Sequence, residues 1–163
     1  MVRLTMTNSA SFEAGCGVCG KVITGHTGVL FENDLWHVRA VDDPCGVPGW
    51  MMLITRRHVP GPASFNDREA NSFGPTLRHL QRVLLEVTGA LRIYTAAMGE
   101  SFPHFHAHMV PRYAVMPKEA KAWAVFDLQR AAAAREFAVD SLESSRVAGS
   151  YARALRESAP PSP

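Results

Sequence analysis

The stretch His104-Phe105-His106-Ala107-His108-Met109-Val110-Pro111-Arg112 decides how this chain is read. In an extended strand successive side chains point to opposite faces, so residues two apart share a face. His104, His106 and His108 then line one face, while Phe105, Ala107 and Met109 point the other way, into a core. Packing alone does not favour three imidazoles in a row, because a buried imidazole needs a partner for each ring nitrogen. Three explanations stand open on these residues alone. They are an exposed polar strand face, a metal site presented by His-x-His, and phosphoryl or nucleotidyl transfer through a covalent histidine.

Outward from this stretch, hydrophobic periodicity predicts strands over 27–33, 35–41, 50–55, 91–98 and 105–110. Asp42–Gly49 (DDPCGVPG) reads as a loop from its Pro and Gly content. Asn66, with Glu69 three residues on, marks a helix start of capping-box type. Phe73, Leu77, Leu80, Leu84 and Val87 then keep helical spacing, with a kink or break expected at Pro75. Past Pro117 the chain is Ala-rich. Trp123, Phe126, Arg130, Ala134 and Phe137 suggest one helix, and Leu142, Tyr151 and Leu155 a second. The expected organisation is a loose leader (1–14), one domain (15–113), a helical extension (114–157) and a disordered tail (158–163). The fold class is α+β: an antiparallel sheet of about five strands with the kinked helix packed on one face.

Composition excludes several classes of function. The 163 residues carry a formal net charge of +2 and no clustered run of Lys and Arg, which argues against a nucleic-acid binder. No apolar stretch approaches the roughly 18–20 residues that span a bilayer, so no membrane partner is expected. The polar start, Met1–Phe12, lacks the apolar core of a signal peptide, and three cysteines are an odd count. Both point to a reducing cytoplasm. Cys16-x-x-Cys19 has the spacing that brings two thiolates to one Zn²⁺, with Gly15, Gly17 and Gly20 permitting a tight, turn-rich segment. The competing reading is an unligated or redox pair, although no βαβ pattern surrounds it. Cys45 reads as an inert loop thiol; His26, His37 and His79 are assigned no chemical role, with His79 solvated and the exposure of His37 open.

The run His-φ-His-φ-His-φ-φ, with φ apolar, resembles the signature of histidine-triad proteins, and Pro111-Arg112 after it strengthens the match. The likeness extends upstream to Pro48-Gly49-Trp50-Met51-Met52-Leu53-Ile54-Thr55-Arg56-Arg57-His58, and covers residues 16–113. It implies a homodimer acting on nucleotide conjugates, from which a nucleoside monophosphate is split or transferred. His106 would be the nucleophile at the α-phosphorus. His108 would bind a non-bridging oxygen and Ser101 the bridging one. Glu100 stands where the family usually has Gln and brings negative charge near a phosphate. Asp42 or Asp43 is the expected ribose contact. Some bacterial members resemble this chain in a structural zinc site, which implies Cys16, Cys19, His58 and His104 as ligands. Trp50 replaces a family His that bonds to the triad, and the bulk of Met51 and Met52 leads us to expect that it fills volume there. The helical extension either covers a partner's site, with Trp123 as a lining residue, or packs on its own domain. A catalytically weak nucleotide-binding module and a metalloenzyme with all three histidines on one ion are the alternatives.

Overall fold

The computed structural model describes residues 12–24 and 28–162. Most of the leader, together with His26 and Thr27, lies outside them. Within them the chain runs α1 (Gly17–Thr24), β1 (Val29–Glu32), β2 (Trp36–Ala40), β3 (Met51–Thr55), α2 (Asp67–Thr88), β4 (Arg92–Ala96), β5 (His106–Arg112), α3 (Val125–Ala133) and α4 (Ser141–Glu157). The five strands form one antiparallel sheet in the order β1-β2-β3-β5-β4. This is the expected α+β architecture; β1 to β4 are a little shorter than their hydrophobic runs, and β5 starts one residue later and ends two residues beyond its own.

α2 begins as its sequence predicts. Asn66 accepts the Glu69 amide at 2.9 Å, and Glu69 reaches back to the Asn66 amide at 2.9 Å, closing a reciprocal capping box. Arg57 fixes the same carboxylate through two bonds of 3.1 and 2.6 Å. Of the kink or break expected at Pro75, the break does not occur, for α2 is one helix across it. Pro75 is exposed, as is Asn71, whose carbonyl loses its usual partner, so water can satisfy that oxygen.

One sheet face packs on α2 and α4. Val38, Met51, Leu53, Ala107 and Met109 meet Leu80, Val83 and Leu84 of α2 and Val147, Tyr151 and Leu155 of α4. Trp36, Phe65, Phe73 and Phe105 form an aromatic cluster beside them, mostly edge to face. Leu142, expected on the buried face of the last helix, is 85% exposed; Val147, Tyr151, Ala152 and Leu155 make that face instead. Residues 158–162, expected to be loose, lie back along α2, with Pro160 buried and the Ser158 carbonyl 2.7 Å from His79 Nε2.

The opposite face carries the histidines, and part of it is covered by the chain's own extension. Val125, Phe126 and Leu128 pack with Val47, Trp50 and Val110 in a second, smaller core. α3 is drawn close to the 42–49 loop. A Cβ on Gly46 would lie 2.6 Å from the Leu128 carbonyl oxygen, and Gln129 accepts from the Gly46 amide while donating to the Pro44 carbonyl. The extension thus packs on its own domain.

Candidate functional site

His106 and His108 stand on β5, opposite Ile54 and Met52 of β3. Even-numbered residues of both strands share this face, and Trp50, two residues before Met52, falls diagonally beside His108. Trp50, His106 and His108, together with Val41, Glu100, Ser101, Phe126 and Gln129, border a cavity of about 260 Å³. Glu100 and Ser101 are exposed at its rim.

The ring nitrogens are assigned by what faces them. His106 Nδ1 lies 2.7 Å from the His104 carbonyl oxygen, which can only accept. Nδ1 therefore carries the proton, and Nε2 keeps its lone pair. His108 Nδ1 lies 3.0 Å from the indole nitrogen of Trp50, which can only donate. Its lone pair is on Nδ1, and its proton on Nε2. Burial, with His106 beside it, pushes the His108 imidazole down to about 4, so the ring is neutral near pH 7. Trp50 was expected to fill volume alone. It is buried, and it also donates this bond.

His104 does not join the row. β5 starts at His106, and His104 turns its ring toward α1. Its Nδ1 lies 3.8 Å from Cys16 Sγ and 3.3 Å from Cys19 Sγ, and His58 Nδ1 lies 3.2 Å from Cys19 Sγ. The four ligand atoms are all within 4.8 Å of one another, an arrangement that can hold a metal ion. His104 Nε2 bonds to the Thr55 carbonyl at 2.7 Å, which makes Nε2 the protonated nitrogen and leaves the Nδ1 lone pair for the cluster. Burial lowers the His104 basicity and raises the Cys19 thiol, with Cys16 adding to the latter. Ligation by the two cysteines would need their thiols to lose their protons to the metal. The segment read as turn-rich is a helix from Gly17, and its first turn aims both sulfurs inward, with the Cys19 amide 3.5 Å from Cys16 Sγ.

Other expected residues fall elsewhere. Asp42 is not among the residues bordering the cavity. Partial burial raises its carboxyl, but the bonds and charges of Lys21 and Arg39 outweigh that and hold it below the usual range. Asp43 accepts from the Ser141 hydroxyl. Trp123 is 66% exposed and does not border the histidine cavity, though its ring lies 6.2 Å from that of Phe126, which does. Cys45 is buried and donates to the Val47 carbonyl. Phe126 and Gln129 escaped the sequence reading as residues of this site. Only the helical spacing of Phe126 was visible, and nothing in that spacing tells which surface a helix covers.

No protein-family model matches the sequence, and no curated protein matches it. Solved structures do. A HIT-like protein involved in cell-cycle regulation from Bartonella henselae superposes with a TM-score of 0.63 at 12% identity, over 89% of this chain and 99% of that one. A hypothetical histidine triad nucleotide-binding protein from Sulfolobus tokodaii gives 0.63 at 11% identity, over 87% and 93%. A histidine triad protein from Bradyrhizobium japonicum gives 0.62 at 19% identity, over 78% and 89%. At these identities the likeness is one of fold, and the chain has the fold of histidine-triad proteins.

Proposed function

We propose that this chain is a histidine-triad nucleotidyl hydrolase or transferase working through a nucleotidyl-histidine. The observation that carries the reading is the pair of opposite tautomers on β5. His106 presents a lone pair to the cavity, and His108, beside it with ring centroids 5.3 Å apart, presents an N–H. In the first step His106 Nε2 bonds to the α-phosphorus of a nucleotide conjugate as the bond to the leaving group breaks. The His108 Nε2–H donates to a non-bridging oxygen, where negative charge builds. The Ser101 hydroxyl at the rim donates to the bridging atom as it departs. Water then attacks phosphorus, releasing the nucleoside monophosphate, or another acceptor attacks and carries off the nucleotidyl group; either way the bond to His106 breaks and the imidazole is returned.

The same tautomers count against three histidines on one ion, because an N–H cannot ligate a metal. For the separate cluster we assign a structural Zn²⁺ held by Cys16, Cys19, His58 and His104, a closed S₂N₂ donor set. It would join α1 to the end of β3 and the start of β5. A homodimer completes the reading. β4 is an edge strand of the sheet, and Leu91 just before it is exposed.

The test is covalent trapping. Brief reaction with a nucleoside phosphoramidate or a dinucleoside polyphosphate should add the mass of one nucleoside monophosphate to the peptide containing His106. Turnover with no acid-labile adduct on that peptide would refute the mechanism.

A further inference from the structure

We propose that Trp50 is a positioning residue, whose indole N–H holds His108 as the Nε2–H tautomer and so makes a lone-pair donor and a proton donor out of two like side chains on one strand. The proposal deepens the transfer reading above and rests on it for its catalytic consequence. The structural part stands on its own geometry.

An isolated neutral imidazole carries its proton on either nitrogen, so sequence leaves both rings ambiguous. For His106 a backbone carbonyl settles the choice. Among the described residues no carbonyl is bonded to His108 Nδ1; Trp50 Nε1 is, at 3.0 Å. Indole has one N–H and no acceptor, so this bond has a single possible direction. A histidine at position 50 would have two and would leave the His108 tautomer undetermined. Trp50 is also rigid. Its ring lies edge to face with Phe126 at 5.0 Å, its amide donates to the Val47 carbonyl, and its own carbonyl accepts from the Val41 amide. It is packed with Cys45, Val47, Val110 and Val125. The donor therefore cannot swing away, and His108 cannot take a proton on Nδ1 without breaking the bond. With Nδ1 committed, the proton on Nε2 points at the cavity.

The experiment uses nitrogen-15-labelled full-length protein at about pH 7.5, near the upper end of the range where histidines ordinarily titrate. In the wild type a scalar coupling should be seen across the hydrogen bond between the Trp50 indole nitrogen and His108 Nδ1, with His108 solely in the Nε2–H form. Trp50→Phe keeps an aromatic ring and removes the N–H. It should give a mixed His108 tautomer and a kcat lower by roughly 10- to 100-fold, the scale on which loss of an orienting partner acts, with KM changing less. Absence of the coupling in the wild type, or a proton on His108 Nδ1 there, would overturn the proposal. So would a Trp50→Phe protein with a pure Nε2–H tautomer, or one with a mixed tautomer and unaltered kcat. If Trp50→Phe does not fold, the wild-type coupling decides. Wild-type protein that shows the coupling but turns over no nucleotide conjugate would support the tautomer assignment and overturn the transfer reading, so the two fail separately.

Discussion

At the scale of single residues, three histidines of one short motif do three different things because their ring nitrogens meet different partners. His104 meets sulfur, His106 a carbonyl and His108 an indole. His106→Ala should cut turnover by several orders of magnitude, with circular dichroism and metal content unchanged, since it is the residue whose free lone pair faces the cavity. Residual activity above about one per cent would sink a covalent mechanism. A second prediction concerns acid. Burial lowers the basicity of His108, and also that of His37, where it outweighs the opposing pull of Glu32, whose carboxylate lies 3.7 Å from the His37 Nδ1. The unfolded chain, with ordinary values of 6.5, takes up these protons first as pH falls. The stabilisation is therefore complete above about pH 7 and drains away below it, for His108 down to about 4. The urea midpoint should be flat from about pH 7 to 8 and lower at about pH 5, and His37→Phe should lessen that slope. An unchanged midpoint at about pH 5 would contradict the burial argument.

At the scale of elements, α2 is the most self-specified part of the chain. Its capping box is closed by residues three apart, and the Glu69 carboxylate, 1% exposed, is held further by Arg57. Asn66→Ala should cost about 1 kcal/mol in chemical denaturation, as lost N-caps do. A change below about 0.3 kcal/mol would mean that Arg57 alone fixes this helix start. Pro75 was legible as a helix disturbance, but its consequence was not. Whether a missing hydrogen bond breaks a helix depends on what surrounds the orphaned carbonyl, and Asn71 proves exposed. α1 shows the converse. Its Gly and Cys content suggests turns, yet the 16–24 segment helps build a four-residue cluster with side chains from two distant loops, and it is helical there.

At the scale of the whole molecule, the proposed zinc joins segments that are about forty and ninety residues apart in sequence, and closing loops of that length is where a cross-link stabilises most. Purified protein should carry one Zn²⁺ per chain by elemental analysis. Cys16→Ser should lower Tm markedly while altering turnover per folded molecule much less, because the cluster and the cavity are separate sites. Metal-free protein with the same Tm would rule the assignment out. Light scattering on the eluting protein should give twice the mass of the 17.8 kDa chain if the sheet edge at β4 meets a second copy. A monomer at micromolar concentration would remove the homodimer from the reading.

Alternation around His106 and His108, the capping box at Asn66 and the helical spacing of α2 are local patterns with periods of two to four residues. The sequence by itself therefore determined the strands, the long helix and the α+β class, and it put three imidazoles on one face, which His106 and His108 do share. It also pointed to Cys16 and Cys19 as a pair, since their spacing is itself the signal. Tertiary structure alone decided the rest. It turned His104 out of the row and toward the cysteines, set Asp42 in ion pairs with Lys21 and Arg39 and laid α3 over the histidine face. It also placed an indole against His108 Nδ1 across 58 positions of sequence, and Gln129 against Gly46 across 83. Local periodicity fixes which way a side chain points from its own backbone. Which partner waits there is fixed by how distant segments pack, and for an imidazole that partner determines which nitrogen holds the proton.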